Sequence, residues 1–396
     1  MITFLYQQQT QINMKIQAII LLAINAIFSC NSSDNSSPVS VPETALEEPK
    51  IKMETVLTDR GIIWGFEFLP NNDIIFTEKS GKINIFSNNK ITELTGGPTD
   101  IVDDGQGGLL DICLHPDYKN NGWVYASYSA VPKGGEGQIN LIRFKISGNS
   151  INNIENLFKS SATDKWRGHY GSRIVFDKKG FLYLSIGEGG TTTGGGENSP
   201  NKNAQNVKEA WGKVHRMTAE GKVPADNPIL PGNTVPTTVY SYGHRNPQGL
   251  VLNTDTDEVF ETEHGPKGGD ELNLIKKGNN YGWPLVSFGI NYDGTTISAN
   301  PLREGIEPPL HYWVPSIGAC GLAYVSSTKY GSWKGSFLAG GLALQNLSRV
   351  EIKSGKAIGT TPLKQIGRVR DVKESPDGFI YLSIEGPGRI VRLVVE

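Results

Sequence analysis

The chain has 396 residues, 37% of them hydrophobic and 20% charged, with a formal net charge of −2. That hydrophobic share supports a buried core and argues against a disordered chain. The near balance of charge argues against nucleic acid or an anionic membrane surface as an electrostatic partner. Its 47 glycines are scattered at turn-like places without a collagen period, which points to many tight turns and an all-β fold.

The first residues form a separate region. Met14-Lys15 is followed by the apolar run from Ile16 to Phe28, a basic start and short hydrophobic stretch of the kind found in export signals. The run is short for a membrane span. Residues ahead of Met14 are polar and unlike a signal, so Met1 and Met14 both remain open as starts. Ile27-Phe28-Ser29-Cys30 resembles a bacterial lipoprotein box; ordinary cleavage that discards Cys30 is the alternative. The expectation is a signal over 1–30, a solvated Ser/Asn/Pro/Glu-rich tether over 31–50, and a catalytic body over 51–396. The protein is then expected in the periplasm or at the cell surface, lipid-anchored at Cys30. Cys113 and Cys320 lie in apolar contexts and read as two buried thiols, with a disulfide as the alternative.

From residue 60 the chain repeats one unit: an apolar strand, a polar turn and a second apolar strand. Copies occur at 64–76, 110–128, 172–184, 248–262, 321–340 and 369–382. Each alternates apolar and polar residues as a half-buried strand does. Repeats spaced by several tens of residues fit a six-bladed β-propeller, with a β-sandwich as the alternative. A ring needs closing, and Lys52–Leu57 is placed to add a strand to the C-terminal blade. The Gly-rich stretch 189–206 reads as a flexible surface insertion, without the βαβ context of a phosphate-binding loop.

Four polar clusters flank these strands. Gln106 sits among glycines in Asp104-Gly105-Gln106-Gly107-Gly108, which leaves room for close approach to a ligand. His169 precedes the third copy with no apolar face to fill, and its imidazole suits a general base. Arg245 and Asn246 in Gly243-His244-Arg245-Asn246-Pro247-Gln248 offer a planar donor fork and an amide. Glu261 to Asn273, followed by Asn280-Tyr281-Gly282-Trp283-Pro284, is rich in the carboxylates and carbonyls that calcium takes.

In this order, GQGGLLD, HYGSR, GHRNPQGL, TEHGPKGGDELNLI, NYGWP and RVRDV resemble the soluble quinoprotein glucose dehydrogenase and aldose sugar dehydrogenase family. The resemblance implies a six-bladed propeller that holds pyrroloquinoline quinone (PQQ) with Ca2+ and oxidises an aldose at its anomeric carbon to the lactone. It implies that His169 is the base, that Arg245 stabilises charge on the quinone, and that Gln106 and Asn246 fix substrate and cofactor. It implies cofactor contacts from His264, Arg368 and Arg370. One calcium is implied on the carbonyls of Gly265 and Pro266, and a second at Asp270, Glu271 and the Tyr281 carbonyl. The expected partners are a small sugar and an artificial or respiratory electron acceptor; a homodimer stays open. This chain departs from glucose-oxidising members at Gly168, where they carry an acid, at Glu188, where they carry aspartate, and at Ala343, where they place a lysine against the cofactor. Two other readings stand beside the dehydrogenase: a calcium-dependent lactonase-type propeller, and a propeller that binds without catalysis.

Overall fold

The computed structural model describes residues 48–130, 137–161, 168–190 and 194–396. The expected signal, Cys30 and most of the tether lie outside the described residues. No helix among the described residues is long and apolar enough to cross a membrane.

The described strands form six four-stranded antiparallel sheets. Their innermost strands are Ile63–Phe68, Leu109–Leu114, Ile174–Phe176, Pro247–Asn253, Ala319–Tyr324 and Arg368–Glu374, one from each expected repeat. Successive innermost strands touch around a ring. The first five sheets are consecutive in the chain, and the sixth is closed by the N-terminal strand. Ile51–Arg60 pairs antiparallel with Gly388–Val395, from Ile51 against Val395 to Arg60 against Gly388. The architecture is therefore a six-bladed propeller whose ring is sealed by the two ends of the folded body.

The sequence pattern suggests strands buried on one face, but the inner half of each blade is buried on both. Val124–Ala130 and Leu182–Ile186 are buried at every residue. The reason is the ring: each blade lies between two others, so both faces of its inner strands lose contact with water. Apolar clusters fill the junctions, such as Leu110, Tyr125, Leu141, Leu184 and Trp211 between the second and third blades. Alternation survives at the outer edge of the third blade, in Val239–Tyr242. Each large side chain buried in these junctions contributes about 1.5–3 kcal/mol.

The stretch 189–206 is also not a free insertion over its described part. Asn201 and Ala204 are buried, each 1% exposed, and Ala204 packs with Trp283 and Ile297. Glycine spacing hid this, because the residues that anchor the loop are single polar and small side chains. Cys113 and Cys320 are buried free thiols.

Polar residues occupy the axis. Arg173, 2% exposed, donates to Asp111 Oδ1 at 3.0 Å, to the Gln248 carbonyl at 2.7 Å and to the Arg370 carbonyl at 2.7 Å. Asp371 Oδ1 lies 3.1 Å from the same guanidinium, and the Trp64 ring lies 4.1 Å from it. Gly65 makes the close approach feasible, since a Cβ there would meet Asp111 Oδ1 at 2.5 Å. One guanidinium thus joins innermost strands from five blades. Arg173→Leu strands two buried carboxylates and is expected to cost about 3–5 kcal/mol of stability, read from the denaturant midpoint. A midpoint within error of wild type contradicts this account of the axis.

Candidate active site

The polar clusters come together because they sit at the ends of strands that meet at the axis. His169 stands five residues before the start of the third innermost strand, Ile174–Phe176, and is held at φ 44°, a backbone region a non-glycine residue seldom adopts. Gly187 permits this conformation: a Cβ there would come 2.0 Å from the His169 carbonyl oxygen. The imidazole is 3% exposed, and its Nδ1 lies 2.8 Å from Glu188 Oε1. Asn201 Nδ2 donates to the Glu188 carboxylate and, at 3.1 Å, to its carbonyl. Asn203 Nδ2 adds a bond to that carbonyl at 3.2 Å. Burial, reinforced by the Arg245 charge, holds His169 well below the usual imidazole range. Burial raises Glu188 to about 7 against the opposing pull of Arg245.

A continuous chain of contacts leads away from His169. Gln106 Oε1 accepts from the His169 amide and from Asn246 Nδ2, both at 3.3 Å. Asn246 Oδ1 accepts from Gln248 Nε2 at 3.2 Å, and Gln248 Oε1 accepts from Arg370 Nη1 at 3.0 Å. Arg370 Nε and Arg368 Nε donate to the two oxygens of Glu385 at 2.8 and 2.7 Å. Asn246 Nδ2 also lies 3.5 Å from His264 Nδ1. Residues from the second, third, fourth and sixth blades therefore share one polar network. A cavity of about 280 Å³ opens along it, lined by Trp64, Lys79, Gln106, His264, Arg368 and Arg370 among others. His169, Arg245 and Asn246 stand behind this lining and join it through Gln106 and His264.

Arg245 has donors to spare. Its amide donates to Glu263 Oε2 at 2.5 Å, and its Nη1 donates to the carbonyls of His264 and Gly265 at 3.0 Å each. Its Nε and Nη2, and the Nε2 of His264, are buried with no protein partner among the described residues. Leaving such groups unmatched is costly, so their natural complement is an acceptor-rich ligand. A planar quinone bearing carboxylates fits that donor set, and the residues present fit PQQ.

The acidic loop divides into two functions. Both oxygens of Asp270 are consumed by the fold: Oδ1 accepts from the Gly265 amide at 2.9 Å and Ser316 Oγ at 2.8 Å, and Oδ2 from the Ala319 amide at 2.8 Å. Asp270 thereby fixes the turn that presents the Gly265 and Pro266 carbonyls. Glu271 instead lines a small cavity of about 10 Å³ with Glu263, Gly265 and Tyr281. Asn273 Nδ2 donates to Glu261, Glu263 and Glu271 at 3.0, 3.4 and 3.2 Å. Burial and the neighbouring Glu263 push Glu271 well above the usual carboxylate range. His244 is the cation in contact, 3.2 Å from Glu261; despite its burial, Glu261 and then Glu263 raise it to about 9. One imidazolium does not balance three clustered carboxyl groups. Arg245 lines the same cavity but bonds Glu263 through its amide and turns Nη1 to carbonyls, and Glu261 Oε2 has no partner among the described residues. A hard divalent cation with oxygen ligands suits this donor set.

Several residues of the site were not legible as such. Glu188 reads in the sequence only as a departure from a family pattern, yet it is the partner of His169. Lys79, Trp64 and Glu385 lie in strand or turn stretches of ordinary composition, and Glu385 is the carboxylate that holds Arg368 and Arg370 together.

Residues 61–392 match the model of the glucose / sorbosone dehydrogenase family. The aldose sugar dehydrogenase YliI of Escherichia coli is 32% identical over 339 residues, covering 83% of this chain and 89% of that one. The crystal structure of the soluble aldose sugar dehydrogenase from Escherichia coli in the apo-form superposes with a TM-score of 0.80 at 30% identity, over 88% of this chain and all of that one. The PQQ-bound aldose sugar dehydrogenase of Streptomyces coelicolor superposes with a TM-score of 0.70 at 28% identity, over 88% of this chain and all of that one. With its propeller, its axial network and this match over most of its length, the chain belongs to the glucose / sorbosone dehydrogenase family.

Proposed function

We propose that this protein is a PQQ- and calcium-dependent dehydrogenase that oxidises an aldose at its anomeric carbon to the lactone and passes the electrons to an external acceptor. The observation that carries the proposal is the shared network around the cavity: a buried His169–Glu188 pair joined through Gln106 and Asn246 to unmatched donors on Arg245 and His264. Support also comes from the PQQ-bound state of the Streptomyces coelicolor neighbour. The unmatched donors of Arg245 and His264 and the paired guanidiniums of Arg368 and Arg370 would hold the cofactor, beside a calcium on the Gly265 and Pro266 carbonyls. A second calcium would occupy the Glu271 and Tyr281 cavity. When bound, the quinone supplies a two-electron oxidant for the C1 hydrogen, and calcium supplies Lewis acidity.

The chain's own residues do the rest. His169 Nε2 accepts the proton of the anomeric hydroxyl, and its low basicity follows from burial. Glu188 sets which ring nitrogen is free. As a carboxylate it accepts Nδ1–H and leaves the lone pair on Nε2. As a carboxylic acid it donates to Nδ1, which puts the ring hydrogen on Nε2 and removes the base. Arg245, buried beside both histidines, stabilises negative charge that grows as the substrate is oxidised. Gln106, exposed at the cavity mouth, is placed to bind a sugar hydroxyl while its carbonyl oxygen keeps Asn246 and the His169 backbone in register. A lactonase-type calcium cage on the axis is disfavoured, because Arg173 already occupies the Asp111 and Asp371 carboxylates there. The export signal and the Cys30 anchor complete the proposal, placing the oxidation outside the cytoplasm.

In an assay with PQQ, Ca2+, an artificial dye and a panel of aldoses, His169→Ala is expected to lower kcat by roughly 100- to 10,000-fold while PQQ still binds. Sugar-dependent turnover that survives this substitution contradicts the assignment of the base. Because the carboxylic acid form of Glu188 is the inactive one, kcat/KM is expected to rise with pH through about 7. Glu188→Gln donates permanently to Nδ1, so it is expected to lose that limb and about 100-fold or more in rate; an unchanged profile rejects the role of Glu188. Chelation of calcium is expected to lower Tm by roughly 5 °C in wild type and by clearly less in Glu271→Gln, which keeps only the calcium on the Gly265 and Pro266 carbonyls. Equal shifts in both proteins argue against the Glu271 site.

A further inference from the structure

The cavity has a cationic residue that the reading above leaves unused. Lys79 follows the second strand of the first blade, Ile74–Glu78, and lines the cavity together with Arg368 and Arg370. Its backbone is held on both sides: its amide donates to the Ile62 carbonyl at 2.9 Å, and its carbonyl accepts from the Leu109 amide at 2.9 Å. Gly108 lies tightly over it, since a Cβ there would meet the Lys79 carbonyl oxygen at 2.3 Å and its Cγ at 2.7 Å. The stem therefore runs beneath the glycine-flanked loop that carries Gln106. The side chain is 15% exposed, and its ammonium pairs with Asp103, whose side chain is 44% exposed.

Charge accounting makes this lysine conspicuous. Glu385 is the acidic residue in the cavity lining, and it is shared by two guanidiniums, Arg368 and Arg370. One carboxylate against two arginines leaves a positive charge, and Lys79 adds a second. Its partner Asp103 stands outside the lining, toward solvent, where an ion pair holds weakly. The closing blade, which carries Arg368 and Arg370, touches the fifth blade on one side and the first on the other. The fifth blade offers Ala343 and no cation at that position; the first offers Lys79.

We propose that Lys79 is a further anion-binding residue of this cavity, exchanging Asp103 for a carboxylate of the bound cofactor. The inference rests on the PQQ reading above and assigns to the first blade a contact that the fifth blade lacks. An ammonium suits this role because it is a compact charge on a flexible stem that can swing between two carboxylates. Exchange of one ion pair for another keeps the charge matched at every stage, and the gain comes from moving the pair from a wet rim to a less hydrated cavity.

The test is equilibrium binding of PQQ to the whole mature protein in excess Ca2+, followed by calorimetry and by quenching of tryptophan fluorescence, since Trp64 lines the same cavity. Lys79→Ala is expected to weaken PQQ binding by about tenfold with an unchanged thermal melt of the unliganded protein. Its affinity is expected to fall less steeply with added salt than that of wild type. Lys79→Arg, which keeps the charge, is expected to bind within about threefold of wild type, and Asp103→Asn to bind as tightly or more tightly. If wild type binds PQQ and Lys79→Ala binds it equally well, with the same salt dependence, the role of Lys79 is overturned and the cofactor reading stands. If wild type shows no binding of PQQ, both are overturned.

Discussion

The architecture of this protein depends on a buried cation at the centre of its ring. Arg173 reaches carboxylates and carbonyls from the second, fourth and sixth blades and the Trp64 ring of the first. All three of its nitrogens are engaged, so its burial cost is offset by matched partners. Blade packing alone is non-directional and would tolerate rotation or slippage. The guanidinium fork fixes the innermost strands in register, and those strands carry Arg370, Gln248 and Asp111 to their places. The same Trp64 ring that lies over Arg173 also lies 5.9 Å from Arg370, so the floor of the cavity and the axial clamp are one structure.

Above that floor the protein sets two electrostatic environments side by side. On the cavity side, burial and then the Arg245 charge hold His169 and His264 well below the usual imidazole range, and Arg370 and Arg368 add to the effect on His264. Behind it, Glu261, Glu263 and Glu271 gather beside His244, and Glu263 and Glu271 share their small cavity with Arg245. Arg245, Glu263 and Gly265 stand at the boundary, all lining the small acidic cavity, with Glu263 and Gly265 accepting from Arg245. A cation behind and an anion in front would satisfy both, which gives the pairing of calcium with an acidic redox cofactor a physical basis in this chain.

Much of the architecture was legible in the sequence because the propeller is a repeat. Each of the six strand-turn-strand units became the first two strands of a blade, and Lys52–Leu57 became part of the closing strand. Burial on both faces was not legible, since period-two alternation describes an isolated strand and not one pressed between two blades. Gln106, His169, Arg245, Asn246 and His264 stood out because polar residues crowd there beside strands. Glu188 pairs with a histidine 19 positions away, and Arg173 meets Asp371 across nearly two hundred residues of chain. Such contacts are made by topology, and single charges on apolar strands give no local sign of them. The stretch 189–206 was misread for a related reason: Asn201 is an ordinary loop residue until Glu188 is placed beneath it.

The central claim is that one pocket gathers an oxidant, a base and an aldose. The most direct measurement is anaerobic mixing of the protein, loaded with PQQ and Ca2+, with an aldose, while the quinone absorbance is followed. The account predicts loss of the oxidised quinone spectrum in a single turnover, slowed when the sugar carries deuterium at C1. A quinone spectrum unchanged by every aldose tried would contradict it.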